Sequence, residues 1–338
     1  MPHPLPLHLL GPLQSDAWLR IGLPIDTAAH GRELIAAAHL ALARHRQRGG
    51  RPVSALWCDD HRNAEGGRAA AAALTGAGVR YMVGHFSSRA ALAALPVYAE
   101  ADAILLAPGS SAPDLTGSAA PVLRLFGRDD TQAQAIADTV QRRAPRQRVA
   151  IVAEDNGYGR GIGTMLAAAL HERRIAADVT IVADSDDALP AGDGPVVLAG
   201  RHEFASRRLR QIAVSRWRIA TDDALTPAFL RAAGAAAEGV EIACLRDDGA
   251  PPTQALEHAY VGLIGEPPGG YFLSSYVAVD LLLGALRACG DCGGAAIAAY
   301  LRSRSWPTAL GDLAFDAHGE VTGLTWRFAR VERGRFVP

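Results

Sequence analysis

The stretch that decides the fold is "MVGHFSSRAALAALPVYAEADAILLAPGSSAPDLTG", residues 82–117. Two apolar runs each end in a patch of small residues that carries paired serines, Ser87-Ser88 and Ser110-Ser111. An alanine-rich, helix-like segment lies between the two runs. Strand, helix and strand in this order predict a βαβ unit, whose strands are parallel and end at the same edge of one sheet.

Each serine pair stands where a strand ends and a helix begins. Open parallel sheets bind ligands beyond the carboxyl ends of their strands, so the pairs predict a hydroxyl-lined edge. Serine is also a common helix N-cap and needs no ligand in that role. The sequence leaves both interpretations open.

The same alternation of apolar strand-like and amphipathic helix-like segments starts at Leu19 and begins a second time at Arg148. Apolar runs between amphipathic helices are typical of parallel sheets that are covered on both faces. A chain of 338 residues is too long for one ordinary core. The sequence therefore predicts two α/β units, each of about the usual domain size.

Composition excludes several classes of partner. The formal net charge of −1 argues against nucleic acid or a membrane surface recruited by bulk charge. No run of about 18 apolar residues occurs, so no membrane insertion is expected. Residues 1–17 form a leader or an N-terminal extension in this interpretation. They lack the Lys/Arg segment of a secretory signal, so either a signal was trimmed or the protein is cytoplasmic.

The four cysteines are Cys58, Cys244, Cys289 and Cys292, too few and too scattered for a disulfide-stapled scaffold. The last two make a CxxC, which fits a redox pair or half of a zinc site. No second CxxC or HxxxH completes a tetrahedral set, and two thiols near a glycine-rich turn is the simpler interpretation. The sequence predicts no metal and no cofactor, and does not decide whether these two thiols form a disulfide.

Enzyme motifs fail on spacing. In "GYGRGIG" the last position of a G-x-G-x-x-G falls on Ile162 or Thr164, and Glu154 and Asp155 would repel a pyrophosphate. No P-loop, GxSxG or HExxH is present. His85 stands near serines, but neighbours on a strand point to opposite faces, which is poor geometry for a nucleophile and its base. The sequence predicts that the protein is not an enzyme.

Several motifs occur in order along the chain: "YMVGHFSS", "LLAPGSSAPDLT", "RVAIVAEDNGYGRG", "LRQ" in the helix after "LAGRHE", and "FDAHGEVTG". Their order and spacing resemble the leucine/isoleucine/valine-binding proteins, type I periplasmic binding proteins that serve branched-chain amino acid ABC importers. The resemblance extends from about Leu19 to about Arg330. It implies two doubly wound parallel-sheet lobes, with the ligand held between them.

The resemblance also implies a hinge that the chain crosses three times, near Phe126, Leu245 and Gly323. The lobes are then an N-terminal one, residues 18–126 and 246–323, and a C-terminal one, residues 127–245 and 324–338.

In that family the N-terminal lobe holds the α-carboxylate of the ligand with strand-end hydroxyls and backbone N–H groups. By position these are the hydroxyls of Ser88 and Ser111 and the backbone of Gly109, with Ser110 in the same patch. A carboxylate at helix N-termini gains from unpaired N–H donors and from the helix dipole. Phe86 is expected to offer an apolar wall.

The second lobe is expected to supply an acid for the α-ammonium group and an aromatic ring over the ligand. The acid falls on Asp223, with Asp222 beside it as the competing candidate. An aspartate after a strand is also a common helix cap. The ring falls on Tyr158, which fits a packed turn residue equally well.

Three departures from the family pattern concern specificity. Arg201 stands where relatives carry an aromatic residue, and it either faces an anionic or polar ligand side chain or points to solvent. The first loop is short, with His30 near a tyrosine position. Where some members have an N-lobe disulfide, Cys58 stands near one site and Ser87 occupies the other. A hydrophobic amino acid remains the first expectation.

The function that the resemblance implies is reversible binding of a free amino acid, with no covalent step. A membrane permease of an ABC importer would recognise the closed, ligand-bound form, and the protein is expected to be a periplasmic monomer. The alternative is a cytoplasmic sensor of amides or amino acids on the same fold. The missing signal segment favours the sensor, and the motif match favours the importer protein.

Overall fold

The computed structural model describes residues 7–10, 19–26, 30–117, 120–183, 189, 191–245 and 251–338, apart from the side chains of residues 251 and 252. The chain divides into two compact units. Unit 1 comprises Met1–Gly127 and Gly249–Leu324, and unit 2 comprises Arg128–Asp248 and Thr325–Pro338. The chain therefore passes between the units three times. That these connections act as a hinge stays a prediction.

The elements follow one another in three segments of the chain. The first segment, in unit 1, contains β1 (His8–Leu10), β2 (Leu19–Ile25), α1 (Gly31–Gln47), β3 (Val53–Asp59), α2 (Ala64–Gly76), β4 (Tyr81–Val83), α3 (Ser88–Glu100), β5 (Ile104–Ala107) and β6 (Val122–Arg124). The second, in unit 2, contains α4 (Asp129–Arg143), β7 (Val149–Glu154), α5 (Gly157–Glu172), β8 (Ala177–Val182), β9 (Val196–Ala199), α6 (His202–Leu209), β10 (Arg218–Ala220), α7 (Pro227–Ala233) and β11 (Glu241–Cys244). The third contains α8 (Pro251–Ile264), α9 (Phe272–Cys289), α10 (Gly294–Arg302), β12 (Trp306–Thr308), β13 (Gly311–Phe315) and β14 (Val321–Thr322) in unit 1, then β15 (Arg327–Glu332) and β16 (Arg335–Val337) in unit 2.

Both units contain the same arrangement of parallel strands. The order is β3-β2-β4-β5-β6 in unit 1 and β8-β7-β9-β10-β11 in unit 2, so each sheet runs second, first, third, fourth, fifth. Antiparallel strands extend each sheet at one edge, β1 beside β3 and β15-β16 beside β11. The sequence-based prediction of α/β units with doubly wound parallel sheets is confirmed. Strand order reverses between β2 and β4 and between β7 and β9, which are the positions where such sheets bind ligands.

Helices cover both faces of each sheet, which explains the uninterrupted apolar strands. In unit 1, α1, α9 and α10 pack on one face and α2 and α3 on the other. In unit 2, α4 and α5 face α6 and α7 across the sheet. Helix α9 meets the length and composition of a membrane span, but most of its side chains are buried in the core of unit 1.

Three elements differ from the sequence-based expectation. Alternation predicts a helix over 205–215, but α6 spans His202–Leu209. It begins earlier because the Asp223 carboxylate accepts the N–H of its first residue. Helix α4 lies where the alternation predicts no element, because its polar face hides the apolar period. Strand β1 lies within the expected leader or extension and pairs with β3.

Candidate ligand-binding site

All the predicted site residues follow the carboxyl ends of parallel strands, where the two sheets leave loops and helix N-termini. In unit 1 they follow β4 and β5, and in unit 2 they follow β7, β9 and β10. The set is Phe86, Ser88, Gly109, Ser110 and Ser111 in unit 1, and Tyr158, Arg201 and Asp223 in unit 2. The structure thus groups them into two sets, one at the ligand-binding edge of each sheet.

A fully buried network fixes the loop after β4. His85 adopts a left-handed conformation (φ 52°), and its Nδ1 donates to Asp60 Oδ2 at 2.8 Å. Its Nε2 hydrogen-bonds the hydroxyl of Tyr98 at 2.8 Å. Burial, and then the charges of Cys58 and Asp60, raise the pKa of Tyr98 well above its ordinary value, so the phenol stays neutral. Both ring nitrogens are engaged, and the loop that follows is held rigidly.

The Ser88 hydroxyl joins the loop after β4 to the loop after β5. Its Oγ accepts the backbone N–H groups of Ser111 and Ala112, each at 3.1 Å. A hydroxyl has two acceptor positions and one proton, so both lone pairs are used and the proton is left to donate. Among the described residues nothing accepts a hydrogen bond from the hydroxyl of Ser88 or Ser111. Two hydroxyl protons are therefore available to a ligand at this edge.

The other serine of each pair is used within the fold. Ser87 caps α3, accepting the N–H of Ala90 at 3.4 Å, and donates to the carbonyl of Arg62. Ser110 is fully buried and donates its proton to the carbonyl of His85. Capping thus applies to Ser87, whereas Ser110 binds a carbonyl, and the role of Ser88 and Ser111 at a ligand edge stays a prediction.

An aromatic cluster lies beside the loop of Gly109. Tyr271 packs against His30, Phe86 and Phe126, with ring centroids 4.5, 5.3 and 5.0 Å away. A Cβ on Gly109 would lie 2.3 Å from the Phe86 ring and 3.1 Å from Tyr271. Glycine is therefore required there for the rings to approach the backbone, and Phe86 keeps partial exposure.

In unit 2 the two aspartates after β10 have different partners. Asp222 Oδ1 accepts from the Tyr158 hydroxyl and from Gln132 Nε2, each at 2.7 Å. Asp223 Oδ1 accepts the backbone N–H of His202 at 2.8 Å, at the first turn of α6. Both carboxylates are buried. The Asp223 carboxylate thus lies at the N-terminus of α6, but it does not cap the helix that follows it, α7, whose N-cap is Thr226.

Tyr158 lies in the first turn of α5, which Asn156 caps by accepting the N–H of Gly159. Burial, and then the charges of Asp222 and Asp129, raise the pKa of Tyr158 well above its ordinary value of 10.0. The phenol therefore remains a neutral donor to Asp222 at physiological pH.

Arg201 is held by a carboxylate of its own unit. Its backbone N–H donates to Glu154 Oε2 at 2.8 Å and its Nε to Glu154 Oε1 at 2.9 Å. These hydrogen bonds raise the pKa of the guanidinium, and the charge of Asp223 adds to the effect. Gly200 makes room for this pair, because a Cβ there would lie 2.7 Å from the Glu154 Cβ. Arg201 is thus paired with Glu154 while its side chain stays partly exposed to solvent.

Sequence reasoning missed several residues that hold the site. Their common feature is a polar group that is engaged by residues distant in the sequence, which no local sequence pattern reports. They are Asp60, Tyr98, Arg124, Gln132, Tyr271 and Glu320.

The two edges differ in electrostatic character. Unit 1 presents hydroxyl protons and the N-terminus of α3, which suit an anion. Unit 2 presents the carboxylates of Asp222 and Asp223, beside a Glu154 that is paired with Arg201, and this arrangement suits a cation. Both units are thus doubly wound α/β sheets with the candidate residues at their switch points, where sheets of this class bind small ligands.

Comparison with known proteins agrees. A sequence model of the family described as periplasmic binding protein matches residues 26–195, half of the chain. The chain is 27% identical over 334 residues to the Leu/Ile/Val-binding protein BraC3 of Rhizobium johnstonii, covering 92% of this chain and 89% of that protein.

Two solved structures have the same fold. The leucine binding protein LivK from Thermotoga maritima superposes with a TM-score of 0.83 at 20% identity, covering 94% of this chain and 97% of that one. The branched-chain amino acid transporter substrate binding protein LivJ from Streptococcus pneumoniae, in complex with isoleucine, gives a TM-score of 0.84 at 18% identity with the same coverages. The chain belongs to the periplasmic binding protein family, with the type I fold.

Proposed function

We propose that this protein is the solute-binding component of an ABC importer and reversibly binds a free amino acid, branched-chain or related. The observation that carries the proposal is the division of charge between the two sets of residues. Unit 1 offers proton donors and unit 2 offers carboxylates. An amino acid is a zwitterion, and each of its charged groups has a matching set.

The carboxylate of the ligand is proposed to bind to unit 1. The hydroxyl protons of Ser88 and Ser111, for which the described residues offer no acceptor, suit an anionic ligand group. The backbone of Gly109 is proposed to contribute to the same edge. Ser110 is proposed to act through its position in the loop, because its own proton is given to His85. Phe86, packed beside Tyr271, is proposed to contact the aliphatic part of the ligand.

The ammonium group is proposed to bind to Asp223. This carboxylate also accepts the N–H of His202, so it is fixed before a ligand arrives. Asp222 is the competing carboxylate: Tyr158 and Gln132 donate to its Oδ1, whereas Oδ1 of Asp223 contacts the backbone N–H and the ring Nδ1 of His202. Tyr158 is proposed to pack its ring against the ligand while its hydroxyl holds Asp222.

A substitution series tests the ammonium assignment. Asp223→Asn keeps an acceptor for the N–H of His202 but removes the negative charge, so it should preserve the melting temperature and abolish binding. Asp222→Asn is the matched control and should keep most of the affinity. Binding by Asp223→Asn at wild-type affinity, measured by calorimetry, contradicts the assignment.

The ion pair of Arg201 affects which ligand side chain the site would accept. Its charge is paired with Glu154, so an acidic ligand side chain would have to compete with that ion pair. This supports a hydrophobic amino acid over an acidic one.

We further propose that the protein works as a periplasmic monomer, delivers its ligand to a membrane permease and performs no covalent chemistry. In unit 1, both nitrogens of His85 are bound to Asp60 and Tyr98, so this histidine is not available as a base for the neighbouring serines. Size-exclusion chromatography with light scattering tests the monomer, and a dimer peak with and without ligand would contradict it.

Thermal unfolding against a panel of amino acids, amides and small carboxylates tests the ligand class. A ligand at about 100 times its dissociation constant adds about 2.7 kcal/mol to stability, which is a visible shift. We expect shifts with leucine, isoleucine or valine. A shift with amides alone would favour a sensor, and a shift with acidic amino acids alone would make Arg201 the specificity residue.

A further inference from the structure

A buried ion pair lies directly behind the loop of unit 1 that carries Ser110 and Ser111. Arg124, the last residue of β6, has no exposed surface. Its Nε donates to Glu320 Oε2 at 2.9 Å, and one of its terminal nitrogens donates to Glu320 Oε1 at 3.1 Å. This is a bidentate pairing of a planar guanidinium with a carboxylate, the most directional ion pair that side chains form.

The same guanidinium binds the loop itself. It donates to the carbonyl of Ser110 at 2.9 Å and to the carbonyl of Ala112 at 2.7 Å. In a trans peptide the C=O and the next N–H point in opposite directions. With the Ser110 carbonyl turned toward Arg124, the N–H of Ser111 must point the other way, where it meets Ser88 Oγ. Arg124 thereby sets the direction of a backbone donor at the ligand-binding edge.

Glu320 is delivered by a tight turn between β13 and β14. The Asp316 carboxylate accepts the N–H groups of His318 and Glu320, at 2.8 and 2.9 Å. Gly319 has φ +91°, and a Cβ there would lie 2.1 Å from the carbonyl of Val122. Only glycine lets this turn pack on β6. The "FDAHGEVTG" motif therefore serves to place the carboxylate of Glu320 beside Arg124.

We propose that Arg124 and Glu320 are positioning residues for ligand binding: they hold the Ser110–Ala112 loop so that the hydroxyl protons of Ser88 and Ser111 face the ligand. The proposal rests on the proposed function for the identity of the ligand. Buried ion pairs contribute little net stability because both charges lose their hydration. The consequence of this pair is the geometry of the loop, which a hydrophobic pair of similar volume would leave undefined.

Arg124→Lys is the test substitution. Lysine keeps a positive charge beside Glu320 but lacks the planar fork, so it cannot bond the carboxylate and both carbonyls together. Arg218→Lys is the matched control. Arg218 is also buried and donates to the carbonyls of Ala236 and Glu238, but it stands at the amino end of β10, away from the ligand-binding edge.

Both variants should unfold at a lower temperature than the wild type. In calorimetry, Arg124→Lys should weaken L-leucine binding by about tenfold or more, because mispositioned donors lose charge-assisted hydrogen bonds. Arg218→Lys should stay within about twofold, as expected for independent sites. Wild-type affinity in Arg124→Lys, or an equal loss in Arg218→Lys, overturns the proposal.

Amide hydrogen exchange of the ligand-free proteins separates this inference from the ligand assignment. The N–H groups of Ser111 and Ala112 should exchange faster in Arg124→Lys than in the wild type, and should be unchanged in Arg218→Lys. If the wild type bound no amino acid, the proposed ligand would be wrong while exchange still decided the role of Arg124. Unchanged exchange in Arg124→Lys overturns the positioning role in either case.

Discussion

At the first serine pair, one hydroxyl caps a helix and its neighbour keeps a proton to donate. Ser87 accepts the N–H of Ala90, whereas Ser88 receives two backbone N–H groups from the next loop. The difference follows from the positions of the two residues at the start of α3: Ser87 is the N-cap and Ser88 is the first helical residue. One side chain therefore stabilises the helix, and the other joins two loops and is the one proposed to bind the ligand.

Substitution of each serine by alanine should separate the two roles. Ser87→Ala should lower the free energy of unfolding by about 1 kcal/mol through loss of the cap, with unchanged affinity. Ser88→Ala should weaken amino acid binding by about tenfold or more, because a donor to the carboxylate and an acceptor for two N–H groups are lost together. Denaturant titration and calorimetry measure the two effects. An equal loss of affinity in both variants would contradict this division of roles.

The sequence predicts where such residues stand, but not which of them is used in the fold. Serines after consecutive strands can be assigned to one edge of the sheet from the βαβ pattern alone. The partner of Ser110 is the carbonyl of His85, and the partner of Arg201 is Glu154, 47 residues earlier. These contacts depend on which strands are neighbours, β4 with β5 and β7 with β9, and no local pattern reports that.

At the scale of elements, two glycines differ in how much space a Cβ atom would have. Gly109 follows β5, where the rings of Phe86 and Tyr271 leave no space for a Cβ. Gly161 lies inside α5, where a Cβ would meet nothing within 4 Å. The first is required by packing against the aromatic cluster, and the second only lowers the helix propensity.

Alanine at these two positions should act in opposite directions. Gly109→Ala should destabilise the protein by about 1–3 kcal/mol through overpacking, and should displace Phe86 from the ligand-binding edge. Gly161→Ala should stabilise it by about 0.5–1 kcal/mol through lower backbone entropy of the unfolded chain. Chemical denaturation measures both changes. A neutral Gly109→Ala would mean that the Phe86 ring moves freely and defines no wall.

Most helices and strands could be predicted from the period of their apolar residues. Strands β5 and β7 are buried along their whole length, so they appear as continuous apolar runs. Helix α4 could not be predicted because polar residues dominate it, and only one stripe of four residues reaches the core. Elements that lie at the edge of a sheet, such as β1, also carry too short a pattern to be recognised.

At the scale of the whole molecule, stability should fall steeply in alkaline solution. The pKa of Tyr158 is raised well above its ordinary value of 10.0 by burial and by Asp222. A group whose folded-state pKa is raised contributes stability that is present below the unfolded pKa and is lost as the pH rises toward the folded pKa. The loss attributable to Tyr158 should therefore begin near pH 10.

Tyr158→Phe should flatten the fall of the melting temperature above pH 10, because no phenol remains to be ionised. Tyr300→Phe is the matched control, since the Tyr300 hydroxyl accepts from exposed Arg304 instead of facing a buried carboxylate. An identical pH profile for wild type and Tyr158→Phe would show that this phenol ionises equally in the folded and unfolded chain.

The central claim is that the two units together recognise both charged groups of an amino acid. In this proposal unit 1 supplies donors for a carboxylate, and unit 2 supplies carboxylates for an ammonium group. On its own, the set in unit 1 would bind a simple carboxylic acid, and the set in unit 2 would bind a simple amine. Two analogues of leucine, each lacking one of these groups, therefore test the claim without changing the protein.

The most direct measurement is isothermal titration calorimetry of the wild type with L-leucine, with 4-methylpentanoate, which lacks the amino group, and with 3-methylbutylamine, which lacks the carboxylate. We predict binding of L-leucine at one site per chain, and affinities about 100-fold lower or weaker still for both analogues, since each leaves a buried partner unpaired. Binding of 4-methylpentanoate as tight as that of L-leucine would contradict the account, because the carboxylates of unit 2 would then play no part in recognition.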